Sequence, residues 1–273
     1  MAFGGENAES YYDEGLTALM KGDLDRAVQH LTRAIEMDRS FLAAHHQLGK
    51  CYLRLGDPRK AAEILGQVVG RNPGLAPARL DYGHALLNMG STEQARNQFM
   101  QILSVQPTNG RAHLGLAQVS FSEGNWDGAV TLAQAARAQG GVSFAVLFLL
   151  GRAARLAGNM VLAVESLREA GALIEKSVEL NPDTPEGHYL RAEVCFAQEK
   201  FAQALDHYRA AEDRIAPNRS YTAFGENFAR VDILTKRALC YQRLGNLERA
   251  RELGNQIVTL APDHKLGQAL KNL

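Results

Sequence analysis

Eight histidines and three cysteines are the residues of this 273-residue chain best able to bind a metal or move a proton. Cys51, Cys195 and Cys240 are odd in number and too far apart for a disulfide framework or a C-x-x-C metal knuckle. His45 and His46 are adjacent, so on a helix they point in different directions and cannot chelate together. Gly141-Val142-Ser143-Phe144-Ala145 echoes a nucleophile elbow but lacks its last glycine and a preceding strand. Gly49-Lys50 lacks the upstream glycine and the following Ser or Thr of a phosphate loop. Asn218-Arg219-Ser220 is a glycosylation sequon only in a secreted chain. No catalytic, cofactor-binding or metal-ligating residue is expected, and the chain is read as a non-enzyme without a cofactor.

Charge narrows the partners. Lys plus Arg equals Asp plus Glu at 30 each, so the basic excess that a nucleic-acid binder uses against phosphate is missing. No stretch approaches the roughly 18 uninterrupted apolar residues of a membrane-spanning helix. The first dozen residues carry no basic-then-apolar leader, and the cysteines suit a reducing compartment. The expected partner is therefore a protein or peptide, with no nucleic acid and no membrane insertion, met in the cytoplasm.

The elements that would position such a site come from a period. Gly22, Gly56, Gly90, Gly124 and Gly158 are spaced by 34 residues. Five residues after each stands an alanine (Ala27, Ala61, Ala95, Ala129, Ala163), and seven before each a small residue (Gly15, Gly49, Gly83, Ala117, Gly151). In the period from Leu42 to Leu75, Leu48, Tyr52 and Leu55 recur at helical spacing, and Gly56 closes the helix in a left-handed turn. Asp57 is then an N-cap and Pro58 the first residue of a second helix that ends before Pro73. Each unit is thus a helical hairpin, with small residues where the two backbones must approach.

This pattern resembles the tetratricopeptide repeat, on Leu48-Gly49, Tyr52, Ala61, Leu65, Val68 and Pro73 in one copy and Tyr82-Gly83, Leu86, Ala95, Phe99, Ile102 and Pro107 in the next. The expected fold is all-α, a right-handed αα superhelix of seven helix–turn–helix repeats in one domain. The repeats fall at 8–41, 42–75, 76–109, 110–143, 144–184, 185–217 and 231–263. The fifth has seven extra residues, about two helical turns, so its second helix lengthens. Residues 217–229 form an irregular inserted loop, and 264–273 a capping helix with Leu266, Leu270 and Leu273 on one face, which suggests that the array is complete at that end. His45, His113 and His188 occupy the repeat's aromatic position, where they stack on or cap a helix pair. Trp126 and the cysteines are expected in the core.

The resemblance also implies a site. In that family the first helix of each pair lines a concave groove, reached by positions five, nine, twelve and thirteen. Here those positions hold Tyr12, Leu16, His46, Lys50, Leu53, Arg54, Leu80, His84, Leu87, Leu114, Gln118, Phe121, Phe148, Arg152, Arg155, Tyr189, Glu193, Phe196, Leu239 and Arg243 among others. Most of the set is apolar, five members are basic and only Glu193 is acidic. The implied function is a scaffold or adaptor that holds an amphipathic, partly acidic segment of a partner protein. On that basis Arg152→Glu with Arg155→Glu ends capture and spares the helices. Tyr221, Phe224 and Phe228 in the insertion are a second candidate contact, unless they fold back over the joint between repeats. The alternative function is a structural protein that self-assembles into homo-oligomers through its repeats. The family's chaperone-tail clamp is not expected, because Tyr12 and Leu16 stand where it needs Lys and Asn.

Overall fold

The computed structural model describes residues 7–216, 221–223 and 226–273. The chain forms two compact units, residues 1–141 and 142–273. In the first, α1 (Ala8–Met20), α3 (Leu42–Arg54), α5 (Ala76–Asn88) and α7 (Gly110–Ser122) are the leading helices of successive hairpins. Their return helices are α2 (Leu24–Met37), α4 (Pro58–Arg71), α6 (Thr92–Val105) and α8 (Trp126–Gly140). In the second unit α9 (Phe144–Leu156) pairs with α10 (Met160–Leu180), α11 (Pro185–Ala197) with α12 (Phe201–Glu212), and α13 (Arg230–Arg243) with α14 (Leu247–Leu260). A last helix, α15 (Lys265–Lys271), lies against α14.

The hairpins form where their sequence requires. Gly56 turns the chain at φ +75°, a conformation that costs a side-chain-bearing residue about 1 kcal/mol or more. The Asp57 carboxylate then accepts the Lys60 amide at 3.1 Å, satisfying one of the orphan N–H groups of α4, and Pro58 fills the first turn where no amide is missed. Within four of the hairpins a glycine faces a large residue sixteen positions on, Gly15, Gly49, Gly83 and Gly151 being the glycines. A methyl group on Gly49 would lie 2.5 Å from Leu65 Cγ, and one on Gly83 2.6 Å from the Phe99 ring. Leu31, Leu65, Phe99 and Leu167 fill these seats and are all but completely buried. Each contributes about 2–3 kcal/mol by leaving water.

Joints between hairpins use a second recurring device. Where a return helix ends at a proline, the residue six positions later donates to the proline carbonyl. Arg79 Nη2 reaches Pro73 at 2.8 Å, His113 and His188 reach Pro107 and Pro182 at 2.9 Å, and Gln268 reaches Pro262 at 2.8 Å. His45 makes a variant of this bond to the Phe41 carbonyl at 3.1 Å. These histidines cap backbone, as their repeat position suggests.

The seven-residue surplus after α9 appears as a 21-residue α10. Glu199 stands where the other turns have glycine, and it takes the left-handed conformation itself, at φ +60°. The insertion differs from expectation. It is not wholly irregular, because Tyr221–Ala223 (β1) pairs antiparallel with Glu226–Phe228 (β2), Tyr221 opposite Phe228. Phe224 and the sequon Asn218-Arg219-Ser220 lie outside the described residues. Trp126 is half-buried and meets Phe121 edge-on at 5.1 Å. All three cysteines are buried, and burial pushes the thiols of Cys51 and Cys240 up to about 11 and about 12.

Candidate functional site

In the first unit α3 packs on α5 and α5 on α7, so the leading helices make one face. Tyr12, Leu16, His46, Lys50, Leu53, His84, Leu87, Leu114, Gln118 and Phe121 are half-buried there, and Arg54 is exposed. Leu80 is not available, being only 3% exposed and packed with Leu116 and Phe99. The face is apolar with a basic edge at Lys50 and Arg54. His46 Nε2 meets Asp81 Oδ2 at 2.8 Å, tying α3 to α5 across it. Burial beside the Phe99 ring lowers the His84 pKa, with the Asp81 carboxylate pulling the other way, so the imidazole is neutral near pH 7.

Asp81 was not among the candidates, although the period carries a signal for it. It follows His46 by 35 residues, one repeat plus one, which is the offset of neighbours on adjacent leading helices.

The second unit treats the same positions differently. Arg152 and Phe196 are half-buried and Arg243 is exposed, but Phe148, Tyr189 and Glu193 are buried at 6%, 4% and 4% exposure. At Tyr189 the cause is the inserted hairpin, whose first strand packs on α11 and whose second packs on α13. The Phe228 ring lies flat on Tyr189, with centroids 3.9 Å apart and planes 2° from parallel, and Tyr221 continues the stack at 5.6 Å. The Tyr221 hydroxyl accepts the Ala216 amide at 2.8 Å, which fastens the hairpin at its root. Tyr221 and Phe228 are therefore core residues at a joint between hairpins and offer no ring to a partner. Leu239, in α13, is half-buried against the Leu234, Leu253, Ile257 and Leu270 cluster.

Glu193 is the one acidic residue at these positions, and the interior uses it. Its carboxylate accepts from the Tyr208 hydroxyl and, at 2.8 Å, from Lys236 Nζ, whose ammonium also lies 5.3 Å from the centre of the Phe196 ring. A buried carboxylate without such partners would cost several kcal/mol. Arg155 is also committed, donating to the Ala197 carbonyl and to Glu199 at the left-handed turn. A glutamate at 155 would set two carboxylates against each other there. The Arg152 and Arg155 pair is consequently a poor probe of binding alone. Among the described residues no three His, Cys, Asp or Glu side chains are grouped to hold a metal ion, and no helix is long and apolar enough to cross a membrane.

Models of the tetratricopeptide repeat match residues 18–74, 54–108, 122–173, 167–220 and 231–264. Human tetratricopeptide repeat protein 6 is 25% identical over 194 residues, 69% of this chain and 35% of that protein. DnaJ homolog subfamily C member 3 of Gallus gallus is 30% identical over 115 residues, 42% of this chain and 23% of that protein. The matched region is thus about a quarter to a third of the length of these relatives. Among solved structures, a tetratricopeptide repeat protein from Parabacteroides merdae superposes with a TM-score of 0.63 at 15% identity, covering 97% of this chain and 98% of that one. A chain of the APC/C hetero-tetramer Cut9–Hcn1 gives 0.64 at 20% identity, covering 92% and 48%. At such identities these structures bear on the fold alone.

Proposed function

Because the chain belongs to the tetratricopeptide-repeat family, whose fold is a scaffold for protein interactions, we propose that it holds a partner segment on the leading-helix face of its first unit. One observation carries the reading. Tyr12, Leu16, Leu53, Leu87, Leu114 and Phe121 remain partly exposed on α1, α3, α5 and α7, whereas in the second unit Tyr189 is buried beneath the hairpin and Glu193 against Tyr208 and Lys236. Rings and leucines in this half-exposed state lose the rest of their hydration when a helix lies down on them by its apolar side. Lys50 and Arg54 at the edge favour carboxylates on the polar side of that segment. Two or three buried anchors at about 2 kcal/mol or more each bring such a complex toward the roughly 8 kcal/mol of micromolar affinity.

The experiment is crosslinking capture with the full chain. Lys50→Glu with Arg54→Glu is expected to lose the partners that the unaltered chain recovers, while Arg243→Glu on the second unit keeps them. Recovery of the same partners by the Lys50 and Arg54 variant overturns the proposal.

A further inference from the structure

The insertion has a second consequence, at its two ends. Between the close of α12 and the start of α13 it leaves a cavity of about 460 Å³, bordered by Arg209, Glu212, Asp213, Ile215, Arg230 and Arg237. Glu212, with only 14% of its side chain exposed, accepts from Arg230 Nε at 3.2 Å and from Arg237 Nη1. One carboxylate thus serves two guanidinium groups. Arg237 Nε is shut away from water and has no hydrogen-bond acceptor among the described residues. Arg209, 3.8 Å from the exposed carboxylate of Asp206, reaches over to the Tyr241 hydroxyl and brings a third guanidinium group to the rim. Among the described residues Arg230 and Arg237 thus share the one carboxylate of Glu212, with Asp213 at the border of the cavity. The joint before it shows the balanced form, where Arg191 meets Glu175 one to one at 3.4 Å.

We infer that this cavity binds a carboxylate of an acidic peptide segment. A guanidinium presents its donors in a planar fork that fits a carboxylate, and a partly enclosed site screens the attraction less than open water does. The volume lies within the range of small-ligand sites and takes a glutamate side chain with part of its backbone, while Ile215 offers apolar contact to the methylenes. The site lies on the second unit, and the inference does not depend on the face proposed for the first.

Calorimetric titration of the full chain with tetraglutamate, blocked at both ends so that only side-chain carboxylates are present, tests this at low ionic strength. Saturable binding of one peptide is expected, with none for blocked tetraglutamine. Arg209→Ala with Arg230→Ala weakens it by about tenfold or more, the loss of a single charged hydrogen bond or greater. Glu212→Gln frees both guanidinium groups and tightens binding, a change opposite to what misfolding would produce. Lys50→Glu with Arg54→Glu leaves the titration unchanged. The inference is overturned if the Arg209 and Arg230 variant binds as the unaltered chain does, if the unaltered chain binds no peptide, or if inorganic phosphate binds more tightly than tetraglutamate. Loss of peptide in the Lys50 and Arg54 variant alone would likewise overturn it, while supporting the site on the first unit.

Discussion

Glu199 carries a conformation that the other turns give to glycine, and the structure supplies a reason it is tolerated. Its carboxylate meets Arg155, which also donates to the Ala197 carbonyl at the end of α11. A side chain at φ +60° costs about 1–2 kcal/mol, and an ion pair as exposed as this one returns at most about 1 kcal/mol. Glu199→Gly removes both terms, so its stability should stay within about 1 kcal/mol of the parent. Glu199→Val keeps the strain, adds branching at Cβ and loses the ion pair, and should cost about 2 kcal/mol. Urea unfolding of the two variants decides the matter, and a glycine variant less stable than the valine variant would contradict this account.

The inserted hairpin shows how an element can change what a repeat does. Phe228 is 1% exposed and stacked on Tyr189, so Phe228→Ala should lower stability by about 3–5 kcal/mol and thermal unfolding should show the second unit melting earlier. An unchanged melting profile would mean that the hairpin does not pack there. The helices themselves were legible in the sequence, because the turn glycines and the small residues at the crossings answer constraints that lie within one hairpin. Gly49 must be small because Leu65 fills the space beside it. The hairpin was not legible, since β1 and β2 are three residues each and their packing partner Tyr189 belongs to an earlier repeat. Groove positions fared unevenly for the same reason. Position within a repeat sets the direction of a side chain, but whether Leu80, Tyr189 or Glu193 meets water depends on what a neighbouring element lays over it.

On the scale of the molecule, both units bury groups that must hold their protons. Burial raises the thiol of Cys51 to about 11 in the first unit and that of Cys240 to about 12 in the second, and it also drives the Tyr208 hydroxyl well up. Their unfolded values are lower, near 9 for a thiol, so an unfolded chain releases protons that the folded chain retains. Stability is therefore full below about pH 9 and falls as pH rises through the folded values. His84 acts on the other side. Its folded pKa is depressed by burial, so below about pH 6.5 the unfolded imidazole takes up a proton that the folded one refuses, and stability falls with pH. Urea midpoints measured from pH 5 to 10.5 should show a plateau between these limits, with Cys240→Ala flattening the alkaline decline.

The side chains that reach back to Pro73, Pro107, Pro182 and Pro262 share a task but differ in length, being arginine, histidine, histidine and glutamine. Each spans from the opening turn of one helix to the carbonyl that closes the previous pair, and so works as a strut. Exchanging a long strut for a short one should alter the lean of one hairpin on the next without touching either hairpin's interior. The bend of each unit thereby becomes adjustable one joint at a time, by substitutions that leave the buried seats of Leu65 and Phe99 alone.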